Sequence, residues 1–222
     1  MDMTVKICGL STVEAIIAAR DGGATHLGFI FFEPSPRNVS AQRVSELLDG
    51  HAGAKAVAVS VNADDDFLEE IVSSMQPDML QLHGGETVER VEELKARFGL
   101  PVMKALAIRE AADIEKARAY DDAADMLLLD AKPPNGSDLP GGNGASFDWS
   151  LIDTLKTQTP ILLSGGIDID NLPAALDRVV DPRNSLVGID LSSGVEYAPG
   201  VKDLAKIAAL LKACRNHQTH TV

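Results

Sequence analysis

Cysteine is scarce in this chain: Cys8 and Cys214 are the two among 222 residues. They lie far apart and show no metal-ligand spacing, so neither a disulfide framework nor a zinc site is indicated, and a reducing compartment is the simpler reading. Long hydrophobic runs are also missing. No stretch approaches the ~20 apolar residues that span a bilayer, and the start MDMTVKIC has neither the basic segment nor the apolar core of a secretory leader. A cytoplasmic protein with no membrane partner is the expectation. Positive charge is in deficit, with 20 Lys and Arg against 33 Asp and Glu, for a net charge of −13. That balance argues against nucleic acid, which wants a basic face. Any anionic substrate must then be caught locally, by a single Arg or by backbone N–H groups at a helix start. No Walker or GxGxxG pattern occurs, so nucleotide binding is not indicated.

What the chain does have is 45% hydrophobic residues, enough for a large core, arranged in a repeating order. Eight short β-type runs recur at 4–8, 26–31, 55–61, 78–83, 101–106, 125–130, 160–164 and 185–190. Their near-continuous apolar character suits parallel strands covered on both faces. Helical periodicity follows each one, with candidate starts at Ser11, Ser40, Asn62 or Asp64, Glu86, Arg109, Asp148, Asp170 and Pro199. Eight βα units in series predict an α/β fold, a single-domain (β/α)8 barrel over residues 1 to 215, with 216 to 222 as a frayed, disordered tail. A doubly wound sheet is the alternative.

In such a barrel the strand-to-helix loops build the active face, and two of them are long: PSPRN after strand two, and the glycine- and proline-rich stretch from 131 to 147 after strand six. The second reads as a substrate cover that stays mobile until something binds beneath it, with a disordered insertion as the alternative. Asp130 closes the run MLLLD and would emerge at the barrel mouth, where low-dielectric walls favour a general acid; its bland role is a cap or ion-pair partner. Cys8 holds the matching place on strand one, as a reactive thiol or a small buried apolar residue. Arg37 can clamp a carboxylate with two parallel hydrogen bonds or serve as a surface charge. His83 can donate to a ligand oxygen or satisfy a backbone carbonyl. Gly165 and Gly166 after strand seven, with Ser192, Ser193 and Gly194 after strand eight, make the small-residue loops at which barrels commonly bind phosphate.

Together, VKICGL at 5–10, LGFIFFEPSPRNV at 27–39, QLHG at 81–84, LLLDAK at 127–132, FDW at 147–149, LSGGI at 163–167, and IDLSSGVE with PGVKD at 189–203 resemble the phosphoribosylanthranilate isomerase family. The resemblance spans nearly the whole chain in the family's order. It implies a cofactor-free and metal-free Amadori rearrangement of a phosphosugar in tryptophan biosynthesis. Asp130 is then the general acid and Cys8 the general base, with Arg37 on the anthranilate carboxylate, the loops at Gly165, Gly166, Ser192, Ser193 and Gly194 on the phosphate, and Asp190 as a weaker contact to sugar hydroxyls; His83 stays a candidate substrate contact from its place at the end of strand four. A monomer is favoured, with a homodimer left open. Lys6 is placed on the strand face opposite Cys8 and given no role. The chain departs from the family's pattern at Asn143, where Thr is usual. Other phosphosugar isomerases and a non-catalytic metabolite-binding barrel are the competing readings.

Overall fold

The computed structural model describes residues 3–49, 53–132, 141–142, 144 and 146–220, with side chains to residue 217. Eight parallel strands close into a barrel: β1 (Thr4–Cys8), β2 (His26–Phe31), β3 (Lys55–Ser60), β4 (Met79–Leu82), β5 (Val102–Ile108), β6 (Met126–Ala131), β7 (Ile161–Leu163) and β8 (Leu186–Leu191). Each pairs with the next, and β8 pairs with β1 in a register that sets Lys6 opposite Asp190. The expected fold class is therefore the observed one.

The apolar strands are explained by their two coverings. Side chains alternate along a strand, so one set points into the barrel and the other under the helices. Val57, Val59, Met79, Met103, Leu128 and Leu162 fill the interior together with Cys8. Ile7, Leu27, Phe29, Leu80, Leu127, Leu129, Leu163 and Ile189 pack outward against the helical layer. Each fully buried Leu, Ile or Phe contributes roughly 1.5–3 kcal/mol.

Among the described residues seven α-helices surround the strands: α1 (Val13–Gly22), α2 (Ala41–Leu48), α3 (Asp65–Met75), α4 (Val88–Phe98), α5 (Ala111–Arg118), α6 (Leu172–Val179) and α7 (Leu204–His220). After β6 the expected helix is a 3-10 segment, Trp149–Thr154, capped by Asp148. Thr154 turns its hydroxyl back onto the carbonyl of Leu151, and Leu155 is extended, which ends the coil. Several starts shift by a residue or more. Thr12, not Ser11, accepts the amide of Ala15, and Thr87, not Glu86, caps α4. Glu86 is turned inward, accepting from the amides of Asn62 and Gly84 and pairing with Lys104. Asn171 precedes α6, and Asp203 accepts from Ala205 and Lys206 to start α7, because Pro199 and Gly200 turn a small hairpin of β9 (Glu196–Ala198) and β10 (Val201–Lys202). The last helix is helical to residue 220, past the point where a frayed tail was expected. Among the described residues no helix is long and apolar enough to cross a membrane.

Candidate active site

Cys8 ends β1 with its thiol buried in the barrel mouth. Lys6 lies two residues before it and therefore on the same strand face. Alternation separates neighbours and unites residues two apart, so the placement of Lys6 on the opposite face does not hold. Gly28 faces them from β2, in register with Cys8, and a Cβ built there would come within 3.0 Å of both Cys8 Sγ and Lys6 Nζ. The missing side chain leaves the room in which thiol and ammonium meet.

Lys6 is fully buried and donates to Asp190 Oδ1 at 2.8 Å, while Ser164 Oγ donates to Asp190 Oδ2 at 3.3 Å. Burial alone would discharge Lys6, but the Asp190 carboxylate and the Cys8 sulfur hold it cationic, above the usual lysine range. For Cys8 the balance differs. Burial pushes the thiol up, against the opposing pull of Lys6.

Across the mouth, Asp130 accepts the amide of Ala131 through Oδ1 at 2.9 Å and turns Oδ2 toward His83 Nε2 at 3.4 Å. His83 Nδ1 is in turn 3.1 Å from Gln81 Nε2, an amide group buried within the barrel. If that amide donates to Nδ1, Nε2 carries the ring proton and points it at Asp130. His83 thus meets a carboxylate and an amide, not the backbone carbonyl considered from sequence. Gly141 presses down over the pair, since a Cβ there would fall 2.6 Å from Asp130 Oδ2.

Arg37 is buried, not a surface charge. Its Nε and Nη2 donate to the two oxygens of Glu196, both at 2.8 Å, and Nη2 also reaches the carbonyl of Gly142 at 3.3 Å. The two-pronged clamp expected for a substrate carboxylate is made on Glu196 instead. Arg37 lines the cleft, and its Nη1, not used on Glu196, lies beside Gly142. Gly9, at φ +78°, makes room for the guanidinium stem, because a Cβ there would lie 2.6 Å from Arg37 Cδ. Burial opposes ionisation of Glu196, but Arg37 and Lys202 hold it below the usual carboxylate range. Lys202 donates to Glu196 and to the carbonyl of Ser192, tying the carboxylate to the loop after β8.

That loop and the one after β7 are pressed together. Gly165 and Gly166 have φ of +90° and +63°. At Gly194 a Cβ would come within 1.9 Å of the carbonyl oxygen of Ile167, so only a bare Cα fits. One cleft of about 750 Å³, open at its mouth, takes in nine of the ten residues singled out from sequence. The exception is Gly194, which shapes the loop from behind. Asn143 and residues 133–140 lie outside the described residues.

With this geometry in view, the model of the family described as N-(5'phosphoribosyl)anthranilate (PRA) isomerase matches residues 5–213. The chain belongs to this isomerase family. The family's enzyme from Brucella canis is 54% identical over 214 residues, covering 96% of this chain and 94% of the relative. Among solved structures, the phosphoribosylanthranilate isomerase of Thermotoga maritima superposes with a TM-score of 0.82 at 31% identity, covering 96% of this chain and 99% of the other. That of Thermus thermophilus gives 0.81 at 30%, covering 99% and 100%. Within the isomerase barrel, sequence reading missed Lys6, Gln81, Glu196 and Lys202. A correct count along β1 would have found Lys6. Glu196 sits in the quoted SSGVE motif, but it lies 159 residues from Arg37, and nothing local signals their pairing.

Proposed function

We propose that this chain converts N-(5-phosphoribosyl)anthranilate to 1-(2-carboxyphenylamino)-1-deoxyribulose 5-phosphate, with Asp130 as general acid and Cys8 as general base. The observation that carries the reading is that a thiol from β1 and a carboxyl from β6 open on one cleft, beside small-residue loops from β7 and β8. Ring opening needs a proton donor at the furanose oxygen, and isomerisation needs an acceptor for the C2′ proton. Asp130 gives its proton to the ring oxygen as the C1′–O bond breaks, leaving a Schiff base. Cys8, as thiolate, takes the C2′ proton, and the freed electron pair gives an enolamine that tautomerises to the ketone. The sulfur never bonds to substrate. Arg37, through Nη1, meets the anthranilate carboxylate. Gly165, Gly166, Ser192 and Ser193 receive the phosphate in a loop whose shape depends on Gly194. Asp190 and His83 lie close enough to the mouth to contact sugar hydroxyls.

A family structure from the solved set, 29% identical with a TM-score of 0.80, holds reduced 1-(o-carboxyphenylamino)-1-deoxyribulose 5-phosphate, which supports a phosphosugar of this kind as the ligand here. We read the chain as a cytoplasmic monomer acting in tryptophan biosynthesis; the Thermotoga maritima relative, by contrast, is described as dimeric. The test is consumption of phosphoribosylanthranilate, followed as loss of anthranilate-type fluorescence. Purified protein should catalyse it, and Cys8→Ala and Asp130→Ala should each lower kcat by about 10²–10⁴-fold. No turnover by the wild type would sink the assignment, and full turnover in either variant would remove that residue's role.

A further inference from the structure

A thiol that must accept a proton has first to lose its own, and at Cys8 burial works against that loss. We infer that Lys6, anchored on Asp190, is the positioning residue that eases loss of the Cys8 proton and so lets the buried thiol act as proton acceptor. The inference rests on the base role given to Cys8 above and supplies what activates it. Geometry carries it. Lys6 and Cys8 project from the same face of β1, and their heads converge on the side-chain-free patch of Gly28, 3.0 Å from one built point. Lys6 Nζ spends one N–H on Asp190 Oδ1, and the ammonium has others to offer toward the sulfur.

The charges around the sulfur come from three strands. β1 gives Lys6, β8 gives Asp190 and β10 gives Lys202, while β2 presents Gly28 at the level of the sulfur and His26 opposite Lys6. Lys6 favours the thiolate most strongly, Asp190 opposes it less, and Lys202, committed to Glu196, helps least. Asp190 therefore has a double action. It opposes the thiolate, yet it keeps the buried ammonium charged and fixed, and with Ser164 on its other oxygen it is itself held in place. If Lys6 were merely a core partner for Asp190, the acidity of Cys8 would not depend on it.

That acidity can be read without turnover, as thiolate ultraviolet absorbance against pH, taken as the difference from Cys8→Ala. In Lys6→Met the ionisation midpoint should rise by at least about one pH unit, a tenfold loss of thiolate at neutral pH. kcat should fall in parallel, its rising limb moving to higher pH, while KM changes little. Lys6→Arg, which keeps the charge, should stay near the wild-type midpoint. If Lys6→Met does not fold, Lys6→Gln retains a hydrogen bond to Asp190 without the charge and should show the same rise. Coincident titration curves for the wild type and the neutral variants would overturn the inference. Its failure is separable from failure of the base assignment, because full turnover in Cys8→Ala removes the base role whatever the Lys6 variants do to the titration.

Discussion

Arg37 and Glu196 face each other edge to edge, Nε to Oε1 and Nη2 to Oε2, each at 2.8 Å, within the wall of the cleft. A guanidinium held by two parallel charge-assisted bonds cannot swing, so its remaining edge is aimed before any ligand arrives.

Removing that edge should cost binding more than chemistry. Arg37→Ala is expected to raise KM for the carboxylated substrate by about 10–100-fold, the worth of one charge-assisted hydrogen bond, with a smaller change in kcat. Glu196→Gln should give part of the same effect by loosening the guanidinium. Steady-state kinetics on both variants checks this, and a loss confined to thermal stability would make the pair structural.

His83 faces Asp130 and is itself set by Gln81. His83→Ala should lower kcat by about tenfold, again on the scale of one hydrogen bond to a charged group, while KM shifts less. Gln81→Leu, acting only through the ring, should have a smaller effect of the same kind. An unchanged kcat in His83→Ala would show that Asp130 needs no such neighbour.

Gly194 tests the phosphate loops. A methyl at 1.9 Å from the Ile167 carbonyl oxygen forces two backbone segments apart, so Gly194→Ala should destabilise the protein by about 1–3 kcal/mol. KM should also rise, and inhibition by inorganic phosphate should weaken. Retained phosphate inhibition would place the anion elsewhere.

His26 sets an acid limit on stability. Its ring is buried, Nδ1 lies 2.9 Å from Thr25 Oγ1, and Nε2 has no hydrogen-bond partner among the described residues. Burial, with Lys55 and Lys6 nearby, pushes the group down to about 4. Between that value and the usual 6.5 the unfolded chain binds a proton that the native state refuses. Its stabilising contribution is thus complete above the unfolded value and declines as pH falls toward the folded one, by on the order of 3 kcal/mol. Glu86 and Glu196, which neighbouring cations hold below the usual range despite burial, add losses only at lower pH. Thermal unfolding from neutral to mildly acidic pH should show a fall in Tm that His26→Gln flattens. Parallel profiles for the two proteins would contradict this.

The strands were legible because burial on both faces leaves an apolar signature that no other element of similar length shares. Asp130, Cys8 and the glycine loops were legible because each stands where such a strand ends. Helix starts were read less well, since Ser11, Glu86 and Asp170 are all plausible caps and only tertiary partners select among them. Glu86 is taken by Lys104, which leaves Thr87 to cap. The pairing of Arg37 with Glu196 was invisible because it is made by closure of the barrel, whereas the nearness of Lys6 to Cys8 follows from the two-residue period of β1 alone.

That closure has a consequence for the order in which the protein becomes competent. The thiol leaves the ribosome at residue 8, but the aspartate that fixes its ammonium neighbour is residue 190 and reaches it only when the last strand seals against the first. A nascent or truncated chain ending before β8 lacks the carboxylate that fixes Lys6 beside Cys8. The Lys6–Asp190 pair beside the sulfur comes into being with the final seam, so the arrangement proposed to serve Cys8 exists only in the closed barrel.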